Sequence, residues 1–375
     1  MIRGSLAFTL IAVVCWARAA RAQEETTTPA ADEPPPAGGE EPAAEISQAG
    51  EEWTLKPPRV FGFMQSFYRY SFETGDDGEV DAPNFRIQRV RIGVEGELLP
   101  WLGYDVEIDP RAPEVTGILR DAFLAVKVIP RHEIRIGQQK TQFGYENPES
   151  SSKLFAVNRT EVSDNLSRGG VTLRDIGVGL IGNVKVAKGV RIEDAVTVVN
   201  GNGMNTQDDD TRGKDVWGRI GVRYKRDQLG NLVARLGVSG ARGDYIDEGD
   251  DPLDPDDDFH LEFRRLGTDV EVDHDWFFVS AELVGSDEDN LTDDENETVS
   301  GWYVNLVGKT PWLPWELGPI LRYDVLGDEF RRWTFGAYYG LPEAPLRVML
   351  NFELRDLKDG ERGDDRLYLW AQARF

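Results

Sequence analysis

The run Phe85-Arg86-Ile87-Gln88-Arg89-Val90-Arg91-Ile92-Gly93-Val94-Glu95-Gly96-Glu97-Leu98 puts guanidiniums and carboxylates on one beat of a two-residue alternation and apolar side chains on the other. Guanidiniums gathered this way bind anions through charge-assisted hydrogen bonds. No second group offers such an anion a reaction. The three histidines, His132, His260 and His274, stand at no metal-ligand spacing, and His132-Glu133 lacks the second histidine of a zinc-protease helix. Gly177-Val178-Gly179-Leu180-Ile181-Gly182 fits the dinucleotide fingerprint by letter, but Ile176, Val178 and Leu180 keep strand period and no helix follows. The acidic string from Asp250 to Asp258 carries Pro252 and Pro255 where a calcium loop must wrap, and reads as a solvated charge run. The chemistry on offer is electrostatic, with no catalytic residue, cofactor or metal site predicted.

Strands must position these charges. Successive strand side chains point to opposite faces, so Val90, Ile92, Val94 and Leu98 face one way and Arg89, Arg91, Glu95 and Glu97 the other. The same exercise sends Arg135, Arg219, Arg223, Arg235, Arg322 and Arg347 inward. They are joined there by Asp105, Glu107, Asp121, Asp269, Glu271, Glu282, Asp324 and Glu353. A charge on a lipid-facing strand position at mid-bilayer costs about 2–4 kcal/mol, so this one-sidedness is what a membrane wall with a wet interior requires.

Alternation marks strands near 60–72, 85–98, 103–109, 117–128, 132–141, 174–184, 190–200 and 214–225. A second set lies near 230–241, 260–273, 275–285, 298–309, 318–326, 331–340, 345–355 and 366–375. Alternate connections are short and often carry proline, as at Leu99-Pro100-Trp101 and Ile129-Pro130-Arg131. The others, including 73–84, 142–173, 201–213, 242–259, 286–297 and 356–365, are longer and strongly acidic. Trp101, Trp302, Trp312, Trp315, Trp333, Tyr338 and Tyr339 fall near strand ends, where interfacial girdles sit, and the chain closes on Phe375. The reading is an all-β fold, a sixteen-stranded antiparallel transmembrane β-barrel over 59–375 with short periplasmic turns and long acidic extracellular loops. A secreted β-sandwich also alternates, but it needs neither the terminal aromatic nor one-sided loop lengths.

Composition alone, with a net charge of −25 and a mean hydropathy of −0.44, suggests an acidic soluble protein. A strand lipidic on one face hides its membrane character from that average. Residues 1–22 read as a signal peptide, with Arg3, the apolar stretch Leu6 to Val14, and Ala20-Arg21-Ala22 before the cut. The sole cysteine, Cys15, lies within it, and Val13-Val14 before it do not form a lipoprotein box. Residues 23–58, rich in Pro, Ala, Glu and Thr, read as a disordered acidic periplasmic tail.

Taken in order, Phe85 to Leu98, Asp121-Ala122-Phe123-Leu124, Ile136 to Phe143, Arg174-Asp175-Ile176-Gly177-Val178 and Asn200-Gly201 resemble the phosphate-selective porin O and P family. The resemblance implies a homotrimer in the outer membrane, set among its lipid and lipopolysaccharide, with the third extracellular loop folded inward and basic side chains drawing small anions through. It implies no nucleic-acid partner. The expected channel-lining, anion-binding residues are Arg89, Arg91, Arg135, Lys140, Lys153, Arg159, Arg168 and Arg174. The expectation is passive diffusion of small hydrophilic solutes leaning to inorganic anions such as phosphate. The alternatives are a general or cation-preferring porin, and a non-conducting surface barrel serving as adhesin or scaffold. The loop 142–173 mixes Lys153, Arg159 and Arg168 with Glu146, Glu149, Glu161 and Asp164, and several arginines could instead pair with lumen carboxylates and brace the wall.

Overall fold

The computed structural model describes residues 56–375 apart from 73–81, 112–116, 167–172, 207, 210, 212, 227–229, 248–258, 291–294, 341–344 and 358–362. The signal peptide over 1–22, nearly all of the tail over 23–58, and the acidic string 250–258 lie outside these residues. Sixteen strands form a closed antiparallel barrel in which each pairs with its chain neighbours and β1 pairs with β16. They are β1 (Arg59–Ser71), β2 (Asn84–Leu99), β3 (Leu102–Ile108), β4 (Leu119–Ile129), β5 (His132–Lys140), β6 (Arg174–Ala187), β7 (Val190–Val199) and β8 (Asp215–Arg226). The second half is β9 (Leu232–Asp247), β10 (Phe259–His274), β11 (Phe277–Asn290), β12 (Glu295–Gly308), β13 (Leu317–Leu326), β14 (Phe330–Tyr339), β15 (Leu346–Leu357) and β16 (Arg366–Arg374). No helix among the described residues is long and apolar enough to cross a membrane, which says nothing of strands.

Closure runs from Phe63 opposite Arg374 to Ser71 opposite Arg366. The terminal Phe375 completes it, exchanging backbone hydrogen bonds with Gly62 at 3.0 Å in both directions. The period-two split holds. Ile92, Val106, Leu124, Ile136, Ile220 and Leu350 are exposed on the outer face, while Arg91, Asp269, Arg322 and Glu353 are buried inside.

The structure departs from the sequence reading in two respects. β9 to β12 run on to Asp247, Phe259, Asn290 and Glu295, into stretches expected to be loops, because pairing continues between neighbouring strands there. Tyr338, expected in an outer girdle with Tyr339, is buried inside, where its hydroxyl donates to Gly308 O at 3.1 Å and contacts Glu316 at 3.0 Å. Trp302, Trp312, Trp315, Trp333 and Tyr339 do stand exposed.

Two β-bulges bear on the interior. On β2, Gln65 of β1 faces Arg89 and Ser66 faces Ile87, leaving Gln88 as the extra residue. On β4, Glu107 of β3 faces Asp121 and Ile108 faces Leu119, leaving Arg120 extra. A bulge puts two residues opposite one and turns an additional side chain out of the strict alternation.

Candidate functional site

The segment between β5 and β6 enters the barrel and packs on one side of it. Its Phe143, Val162 and Leu166 join Trp217, Phe263, Val284 and Tyr303 in a buried cluster. Its Val157 joins a second cluster with Phe278, Tyr338, Met349 and Trp370, against which Tyr145 and Phe155 pack. Each fully buried side chain of this size contributes about 1.5–3 kcal/mol.

The wall then pins the segment's backbone. Arg322 donates to Asn158 O at 2.9 Å, Arg332 to Arg159 O at 2.8 Å, Arg347 to Leu154 O at 2.6 Å and Arg265 to Leu166 O at 3.3 Å. Gln65 and Gln372 reach Ser151 O and Ser152 O, and Gln88, the bulge residue, reaches Val157 O at 3.1 Å. On the same wall Glu282 accepts from Tyr145 N at 3.1 Å and from the Tyr303 hydroxyl at 3.2 Å. Gly144 enters this clasp at φ +65, and a Cβ there would lie 2.0 Å from a Glu282 carboxylate oxygen, so any other residue strains the backbone and displaces the Glu282 carboxylate from its hydrogen bonds. Arg322 and Arg347, which alternation places in the lumen, are thus braces for the inward loop.

A cavity of about 380 Å³ lies against β1–β6, between this wall and the loop. Six of the eight expected basic residues line it: Arg89, Arg91, Arg135, Lys140, Arg159 and Arg174. Lys153 is exposed, 3.8 Å from Glu149, and lies outside the lining, whereas Arg168 falls outside the described residues. Arg120 is the lining residue that alternation missed, since strict parity aims it at lipid and only the β4 bulge turns it inward.

The seven cations differ in what holds them. Arg174 grips Asp121 with two nitrogens, at 3.1 and 2.7 Å, and Arg91 pairs with Glu107 at 2.9 Å and Asp109 at 3.2 Å. Arg135 pairs with Glu133 at 2.6 Å over the Phe123 ring. Lys140 spends its ammonium protons on Asn147 O, Pro148 O and Glu149 O, at 3.0, 3.3 and 2.6 Å. Arg159 donates to Glu146 O and Glu149 O. Among the described residues Arg89 donates to the neutral Gln65 Oε1, at 3.0 Å, and makes no ion pair, and the Arg120 guanidinium has neither a hydrogen bond nor an ion pair. Against these seven stand four acidic side chains in the lining, Asp105, Glu107, Asp121 and Asp164.

The motifs behind the resemblance meet at this wall. Asp175, beside Arg174, accepts from Gly201 N at 2.8 Å and Gly203 N at 3.1 Å. Gln138 accepts from Asn205 N at 2.6 Å and donates to Leu119 O and Arg120 O. These hydrogen bonds tie the β7–β8 connection to the bulge that carries Arg120. The fingerprint-like Gly177 to Gly182 lies within β6, with no strand-to-helix turn. His132 and His260 pair with Asp194 and Asp244, each at 3.1 Å.

A sequence model described as phosphate-selective porin O and P matches residues 60–291. Among solved structures, the anion-selective porin from Comamonas acidovorans aligns over 85% of this chain and 99% of its own, at 11% identity and a TM-score of 0.60. OmpT of Vibrio cholerae in its trimer form aligns over 85% and 99%, at 12% identity and a TM-score of 0.55. OmpF of Salmonella typhi, in complex with daunomycin, aligns over 85% and 97%, at 15% identity and a TM-score of 0.56. At these identities the likeness shows the fold. No curated protein matches the sequence significantly.

Proposed function

Because this chain belongs to the phosphate-selective porin O and P family, and is thereby an outer-membrane porin, we propose that it passes small hydrophilic solutes by diffusion with a preference for small inorganic anions, phosphate among them. The observation that carries this reading is the lining of the cavity, in which the described residues set seven basic side chains against four acidic ones and leave Arg89 and Arg120 with no carboxylate at ion-pair distance. Rings of charge at a narrow point set the sign of selectivity. The net charge of −25 does not oppose this, because charges beyond about 8–10 Å are screened at physiological salt and nearby side chains dominate.

In this mechanism the paired cations, Arg91, Arg135 and Arg174, fix the wall, and Lys140 and Arg159 fix the loop. Arg89 and Arg120 then offer donors to a passing anion. Each contact is a solvated charge-assisted hydrogen bond, weak enough for the anion to leave. The outer apolar face meets outer-membrane lipid, with lipopolysaccharide at the long-loop end, and the working form is a homotrimer, as the OmpT neighbour is described. Planar-bilayer recording across a potassium chloride gradient tests the preference. A reversal potential on the anion side, moved by added phosphate, is expected; one on the cation side refutes the anion reading.

A further inference from the structure

The constriction leaves charges of both signs without a counter-ion at ion-pair distance among the described residues. Arg120 and Arg89 supply the positive ones. In the same cavity the Asp105 carboxylate, half-buried on β3, has no cation within ion-pair distance among the described residues. Glu95, Glu107 and Asp121 crowd it with further negative charge. Those three are already compensated, by Arg59 at 2.7 Å, Arg91 at 2.9 Å and Arg174 at 2.7 Å. Arg135, the cation on this side, is held at 2.6 Å by Glu133.

The two poles are displaced along the wall. Asp105 stands opposite Phe123 on β4, three positions beyond Arg120 in the chain. At a strand rise of about 3.3 Å per residue the backbones lie about 10 Å apart, a gap that the long arginine side chain can shorten. Phe63 and Phe123 line the same cavity.

We propose that this cavity is a subsite for small zwitterions, amino acids and short peptides, with the carboxylate at Arg89 and Arg120 and the ammonium at Asp105. This rests on reading the cavity as the permeation path and names a further solute class for it. An inorganic anion compensates the guanidiniums and leaves Asp105 bare. A zwitterion compensates both poles and carries no net charge for the acidic outer loops to repel.

The test is solute flux into liposomes carrying the full-length protein, using glycylglycine, a neutral polyol of similar size, and phosphate. Asp105→Asn is expected to lower the glycylglycine-to-polyol ratio about two- to fivefold, the scale of one partly solvated ion pair, while raising phosphate flux. Asp105→Glu restores the ratio, and Arg120→Gln lowers both glycylglycine and phosphate. The polyol normalises any change in pore size. A ratio unchanged in Asp105→Asn, or lowered equally in Asp105→Glu, overturns the proposal. The anion preference fails separately, by the reversal potential in potassium chloride, so the two readings can fall independently.

Discussion

Arg120→Gln removes one positive charge from the cavity lining and little else. The guanidinium has no partner among the described residues to orphan, and the backbone carbonyl that accepts from Gln138 at 2.8 Å is untouched. For an anion passing about 5 Å away in a water-like dielectric, the lost attraction is about 0.8 kcal/mol. That is about a fourfold fall in anion occupancy, with cation occupancy rising by a similar factor. Screening is decisive here, since the Debye length is about 10 Å at 0.1 M but about 3 Å at 1 M. The reversal potential in a gradient should therefore move toward the cation side at 0.1 M and much less at 1 M. Lys153→Gln serves as the control, because Lys153 is exposed, pairs with Glu149 and lies outside the lining. Equal shifts for the two variants, or a larger one for Lys153→Gln, would show that overall charge and not the constriction sets selectivity.

Gly144→Val should expel the start of the inward loop, since a Cβ there meets Glu282 at 2.0 Å on a backbone of φ +65. A loss of about 1–3 kcal/mol should appear as a lower unfolding temperature in detergent and larger, noisier single-channel currents. Ile220→Arg, at an exposed mid-strand position on β8, should cost about 2–4 kcal/mol in bilayer folding titrations if that face meets hydrocarbon. An unchanged midpoint would reverse the assignment of faces. At the turn between β10 and β11, hydrogen bonds from the backbone and side chain of Asn231 hold the Asp275 carboxyl below its ordinary range. Its contribution to the turn is complete above about pH 3.9 and is lost as pH falls through the depressed value. Asn231→Ala should raise the Asp275 pKa in an NMR titration, and no rise would refute the assigned cause.

The barrel was legible because lipid enforces parity. Val90, Ile92 and Val94 face hydrocarbon whatever the loops do, and the other beat follows. The site was legible only in part, because a side chain's direction does not reveal its partner. Arg89 and Arg322 both point inward, but Arg89 lines the cavity whereas Arg322 donates to Asn158 O. That difference depends on where the inward loop lands. Its landing is decided by aromatic packing of Phe143 against Trp217 and Phe155 against Tyr338, contacts between residues far apart in the chain. Lys140 lines the cavity as expected, but its ammonium donates to carbonyls of a loop whose path alternation does not give.

Arg120 was concealed by the rule that exposed the rest, and the same physics could have revealed it. Strict alternation through Leu119-Arg120-Asp121-Ala122 must aim one of two adjacent charges at lipid, at a cost of about 2–4 kcal/mol near mid-bilayer. A bulge leaves one residue out of the ladder and lets both turn inward. Ile87-Gln88-Arg89-Val90 has the same form, two polar residues between apolar ones, and it also marks a register shift. Glu193-Asp194 on β7 is the informative contrast: its pairing with β6 is unshifted at that point, and it lies nearer the short-turn end, where Asp194 meets His132 at 3.1 Å and remains partly exposed. Adjacent polar pairs therefore force a bulge where the wall is dry outside, and are tolerated where water or a partner reaches the outward member.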